Sequence, residues 1–243
     1  MFPGIGTLIN VVAILLGSTI GVISGSKFKE STRQLMTDIL GCITFIGAAS
    51  AITSLWKKEF VDSVPQGAPI LIVLFSLILG GLIGARIDVE RRLEEWGVAL
   101  RRRFDKSGKS PFIEGFVTSS LIFAIGPLAI LGSISDGMGN GIDQLALKSL
   151  LDFFASIAFA AAFGWGVALS ILPVGIYQGV WTAAGFFLGS VLSPLQVSAM
   201  TATGGVILLG IAFKLLNIKS MAVGNLLPAL AIAPVAALLI STL

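Results

Sequence analysis

The chain has 243 residues, 55% hydrophobic and only 12% charged, with 16 Lys and Arg against 13 Asp and Glu and a mean hydropathy of +0.97. A soluble domain carries roughly 25% charged residues, so this composition excludes a water-soluble fold and points to helices in lipid. Histidine is absent and Cys42 is the only cysteine, which excludes an internal disulfide, a cysteine metal cluster and the usual general base.

The apolar runs are long and uninterrupted, unlike the alternating segments of about ten residues in a β-barrel. A spanning helix needs about 20 apolar residues. The predicted fold is therefore an all-α integral membrane protein of about eight (seven to eight) transmembrane helices, at 5–25, 35–56, 68–86, 112–132, 146–172, 174–193, 199–216 and 221–242. The whole chain, 1–243, is expected to be a single transmembrane domain.

The first run has no basic segment before it and no evident cleavage site, so it is expected as a retained helix, with Asn10 inside it. Helix two carries Asp38 near its start and Cys42, expected as a small buried filler. Between helices three and four lies the one strongly charged stretch, Ile87–Phe104. Its Ile87, Leu93, Trp96, Leu100 and Phe104 recur at helical spacing, which predicts an amphipathic helix at the membrane interface over 87–104.

Helix four has Glu114 near its start and is expected to break at Gly126-Pro127, because proline removes a backbone donor and clashes one turn back. The stretch that follows, to Asp143, contains Gly132, Gly137, Gly139 and Gly141 with Asp136 and Asn140, and predicts an irregular path. Such a path at membrane depth must line water or protein. Gly126, Pro127, Gly132 and Gly137 are thus candidate gating positions; an ordinary external loop with solvated acids is the alternative.

Helix five places Lys148 and Asp152 four residues apart, on one face. Near the helix end the pair would only anchor. Further in, Asp152 could carry a proton or cation while Lys148 balances its charge. Gln178 lies in helix six and Asn225 at the start of helix eight. Polar groups inside a bilayer are costly and are candidate sites by default, although cross-helix hydrogen bonding is the commoner use of Asn.

Three loops hold 13 of the 16 basic residues: Lys27, Lys29 and Arg33; Arg86 to Lys109; and Lys214 with Lys219. With eight spans they fall on one face. The positive-inside rule makes that face cytoplasmic and puts both termini outside. LGCITFIGAA (Leu40–Ala49) also resembles TGGVILLGIA (Thr203–Ala212), so 5–56 and 174–216 are candidate units of an inverted repeat, a device that builds alternating states in transporters.

GTLIN (Gly6–Asn10), EGFV (Glu114–Val117), GPLAILGSISDG (Gly126–Gly137), KSLLD (Lys148–Asp152) and GNLLPAL (Gly224–Leu230) together resemble the bacterial membrane family catalogued as domain of unknown function 554. The resemblance implies a multi-pass inner-membrane protein and no assigned activity.

No nucleophile elbow, P-loop, HExxH or CxxC occurs, so no enzyme, metal, cofactor or nucleic-acid partner is expected. The expected function is a secondary transporter or channel for a small solute or ion, with a pathway lined by Asn10, Asp136, Lys148, Asp152, Gln178 and Asn225. Economy favours a homodimer in the lipid bilayer. The rival is a membrane scaffold or sensor that docks a partner through the basic amphipathic segment.

Overall fold

Lipid offers no hydrogen bonds, so a chain that crosses it must satisfy its own backbone. The computed structural model describes residues 2–25, 29–104, 111–125, 127–188 and 192–242, and among them all regular structure is helical. Six of the described helical segments are long and apolar enough to cross a membrane. They are α1 (Ile5–Gly25), α2 (Glu30–Ile52), α4 (Ala68–Ile87), α8 (Asp143–Phe163), α10 (Pro194–Leu215), and α11 (Ala229–Ser241) with the 3-10 turn Val223–Leu226 before it.

The expected helix four is two helices, α6 (Phe112–Ala124) and α7 (Pro127–Gly137), whose axes differ by 63°. Counted as one bent span, they bring the total to seven. The bend falls where the sequence predicts a break, with Pro127 at the first position of α7, where its missing N–H costs nothing. Gly126 itself lies outside the described residues. The expectation of eight spans differs from this count by α9 (Ile171–Leu188), whose 18 residues reach about 27 Å, at the lower end of spanning length.

Three boundaries are corrected. The run 146–172 is α8 followed by 3-10 turns at Gly164–Gly166 and Ala168–Ser170, which detach α9 from it. The amphipathic helix is α5 (Val89–Phe104), because Asp88 adopts a left-handed conformation with φ 57° and ends α4 at Ile87. The stretch after Pro127 is irregular only at its end: Gly132 and Gly137 lie within α7, while Gly139 and Gly141, in the turn before α8, take positive φ.

The chain forms two compact units, Met1–Leu40 with Glu94–Val191, and Gly41–Leu93 with Leu192–Leu243. In the first, α1 lies along α8. A Cβ at Gly17, Gly21 or Gly25 would overlap the carbonyls of Phe153, Ile157 and Ala161 in turn, so the two backbones approach closely on a four-residue period. Small residues serve this purpose where lipid removes the hydrophobic drive between helices. In the same unit α7 meets α9, with Gly137 against the Thr182 carbonyl and Gly185 against the Ile134 carbonyl. Phe123 of α6 stands edge-on to Phe159 of α8, with centroids 6.1 Å apart.

In the second unit Phe60 of the short helix α3 (Lys58–Val61) is fully buried with Leu55, Ile72, Ala199 and Ala237. Gly80 of α4 meets the backbone of Ala229, and Gly84 the carbonyl of Asn225. A capping box at Ser193 and Gln196 starts α10. Cys42 of α2 is exposed, not the buried filler expected.

Candidate functional site

The first unit gathers most of the polar residues found in the apolar runs. Thr7 of α1 and Thr182 of α9 bring their hydroxyls within 3.3 Å. Further along, Val11 faces Gly175, where a Cβ would lie 3.4 Å from its Cγ2. Residue numbers therefore rise on α1 as they fall on α9, and the two helices are antiparallel. Asn10 is one turn from Thr7, and Gln178 is one turn from Thr182. Asn10 and Gln178, each one turn from its threonine, therefore lie at the same level on the two helices.

Both amides are 0% exposed, and neither the oxygen nor the nitrogen of either has a hydrogen-bond partner among the described residues. A buried polar group left unpaired costs about 1–3 kcal/mol. Against a total stability of about 5–15 kcal/mol, four such atoms are a heavy burden for packing alone. Ser18 Oγ and Tyr177 Oη are also unpartnered. Ser18 continues the Asn10 face of α1 two turns on, beyond the fully buried Ile14.

Along α8 the register is parallel: Gly6 meets Leu145, and Gly17 meets Phe153 and Ser156. Asn10 is thus level with Lys148 and Ser149, and Asp152 is one turn further in. Lys148 Nζ donates to Asp152 Oδ2, and both residues are buried. Asp152 is tenth of the 21 residues of α8, about 14 Å from the helix start. Lys148 is the sixth residue of the same helix. Two buried serines of α8 are tied to their own backbone, Ser149 to the Leu145 carbonyl and Ser156 to that of Phe153.

Two residues predicted for this pathway are engaged elsewhere. Asp136 Oδ2 accepts the backbone N–H groups of Gly4 and Gly6, at 3.1 and 3.0 Å. It is a cap for the start of α1, supplied by α7, and its charge meets the positive end of that helix. Asn225 belongs to the second unit, in a 3-10 turn, where its Oδ1 accepts the Glu90 backbone N–H at 2.9 Å. Gly132 and Gly137 are packing positions in α7, against Leu145 and Thr182.

Glu90 escaped the sequence reading. Its carboxylate accepts the Gly224 N–H and faces Lys214 Nζ at 3.4 Å, so it ties the α4–α5 corner to α10 and to the turn before α11. Within the run VERRLEE it looks like one more solvated charge. The available signal was its place in the first turn of a helix, where unpaired N–H groups and acidic side chains gather.

A sequence family described as "protein of unknown function (DUF554)" matches residues 5–238. The chain is 30% identical over 230 residues to the uncharacterized membrane protein YdfK of Bacillus subtilis (strain 168), covering 95% of this chain and 94% of that protein. It is 29% identical over 233 residues to the uncharacterized protein YqgA of Escherichia coli (strain K12), covering 94% of each. No solved structure matches.

Proposed function

Since the chain belongs to the DUF554 family, we propose a function from the site itself: a secondary transporter or channel for a small solute or ion, with its path through the first unit. The observation that carries this reading is the buried Lys148–Asp152 pair near the middle of α8, level with two unpartnered carboxamides. Buried charge and unpaired polar atoms inside a lipid-facing bundle are costly to stability, and a passing solute gives them a use. The path is lined by Thr7, Asn10, Lys148, Asp152 and Gln178, with Ile14 as an apolar step before Ser18.

In this reading Lys148 keeps Asp152 neutralised until a proton or solute takes its place. An ion gradient or passive flow supplies the energy, since the sequence carries no nucleotide-binding loop. The chemistry is movement without bond making, so the protein is not an enzyme. The basic loops face the cytoplasm and both termini lie outside. Two copies form the working protein.

Charge movement across proteoliposomes holding the pure protein tests the proposal, with cations, anions and small metabolites offered in turn. A solute-dependent current that Asp152→Asn lowers by about tenfold or more is the expected result. If Asp152→Asn is silent while neutralising Arg101, Arg102 and Arg103 releases a stoichiometric cytoplasmic partner, α5 is a docking element and the transport reading falls.

A further inference from the structure

Building on the transport reading, we infer that the part of the first unit where α1, α8 and α9 carry their buried polar groups binds a small zwitterion of the amino-acid type, because a buried Lys148–Asp152 pair there lies level with the unbonded carboxamides of Asn10 and Gln178.

Charge balance comes first. Lys148 and Asp152 cancel, so the empty site is neutral. A lone cation or anion would add a net charge at low dielectric, where its desolvation is poorly repaid. A solute that carries one ammonium and one carboxylate adds none. It can also exchange partners with the protein: its carboxylate turns to Lys148 Nζ and its ammonium to the Asp152 carboxylate. Every charge stays paired throughout. Lys148 has three donors and Asp152 about four lone-pair sites, and their mutual bond uses one of each.

The amides supply the rest. Each has two N–H donors and a carbonyl acceptor, which suit the carboxylate and the ammonium respectively. Carboxamides buried for packing alone ordinarily form hydrogen bonds. These do not, and all four of their polar atoms remain free among the described residues. The hydroxyls of Ser149 and Ser156 are already spent on their own helix. An uncharged amide would serve Asn10 and Gln178 but would give the Lys148–Asp152 pair nothing to do.

An open depression of about 350 Å³ is lined by Pro3, Gly137, Met138, Gly139, Gly185 and Phe186. Gly137 touches the Thr182 carbonyl, and the Thr7–Thr182 pair stands one turn above the amides. From the start of α1 inward, the unit presents hydroxyls, then carboxamides, then charges.

The full-length protein in lipid nanodiscs is titrated calorimetrically with glycine, β-alanine, L-alanine, L-serine and glycine betaine. Acetate, methylammonium and urea serve as comparison probes. At least one zwitterion is expected to bind saturably, with each comparison probe at least about tenfold weaker. Asn10→Leu and Gln178→Met should each weaken binding by about tenfold or more, the loss of one hydrogen bond to a charged group. Both variants should unfold at the same or a higher temperature, because an unpaired buried amide has been removed. Either variant suffices if the other does not fold.

Equal binding of urea or of a single ion, wild-type affinity in both folded variants, or no saturable zwitterion would each overturn the assignment. Zwitterion binding with no flux in proteoliposomes would keep the site and discard transport. Flux of another solute without zwitterion binding would do the reverse.

Discussion

Asp136 and Asp152 sit 16 positions apart in the same unit and behave as opposites. Asp136 is committed to two backbone N–H groups. Asp136→Ala should therefore cost about 1–2 kcal/mol of stability, as for a lost helix cap. Asp136→Asn, which keeps an acceptor, should cost less, and both should leave solute-dependent current intact in thermally stable samples. Asp152→Asn should do the opposite, with little change in unfolding temperature and loss of current. Glu90→Gln tests the second unit. It removes the charge that faces Lys214 and should lower stability by about 1–2 kcal/mol in thermal unfolding, with no effect on zwitterion affinity. Residue type alone could not separate these roles. Asp136, Asn225 and Asp152 are all acidic or amide groups in apolar surroundings, and only their partners tell a cap from a site. Asn10 and Gln178 stood out in the sequence, but that they lie at one level depends on the α1–α9 register, which lies in the Thr7–Thr182 contact.

The helices themselves were largely legible, because long apolar runs have few alternatives in lipid. The break before Pro127 was legible too, through the missing donor. What followed it was misread in part. Gly132, Gly137, Gly139 and Gly141 look alike in sequence, yet the first two are helical and pack against Leu145 and the Thr182 carbonyl, while the last two take positive φ. A glycine that admits a neighbour and a glycine that turns the chain carry the same letter. The distinction predicts different tolerances. Gly21→Leu would drive a side chain into the Ile157 carbonyl and Ala160, and should destabilise by about 1–3 kcal/mol or abolish folding, visible as loss of a monodisperse peak. Gly47→Leu, with open space around the glycine, should leave the protein's stability nearly unchanged in the same assay.

For the molecule as a whole, orientation is the property that most readily tests the topology. Cys42 is the sole thiol, so Cys42→Ser gives a blank background for single cysteines placed at Lys219 or Asn140. A membrane-impermeant maleimide added to intact cells should label the cysteine at 140 and spare that at 219, and inverted vesicles should show the reverse pattern. The pattern opposite to this would turn the protein over in the membrane and place the start of α1 on the cytoplasmic side.

The bond from Asp136 to the Gly6 N–H joins residues 130 positions apart, and every helix that packs against α1 in its unit begins after residue 111. During synthesis α1 emerges before α7, α8 and α9, with its cap unmade and the Gly17–Gly25 face without its partner helix. Chains that stall before α7 therefore leave a helix whose polar and glycine-lined side has no partner of its own, and they form a natural substrate for membrane quality control. Assembly of the first unit is closed late, by the segment that also bears the site.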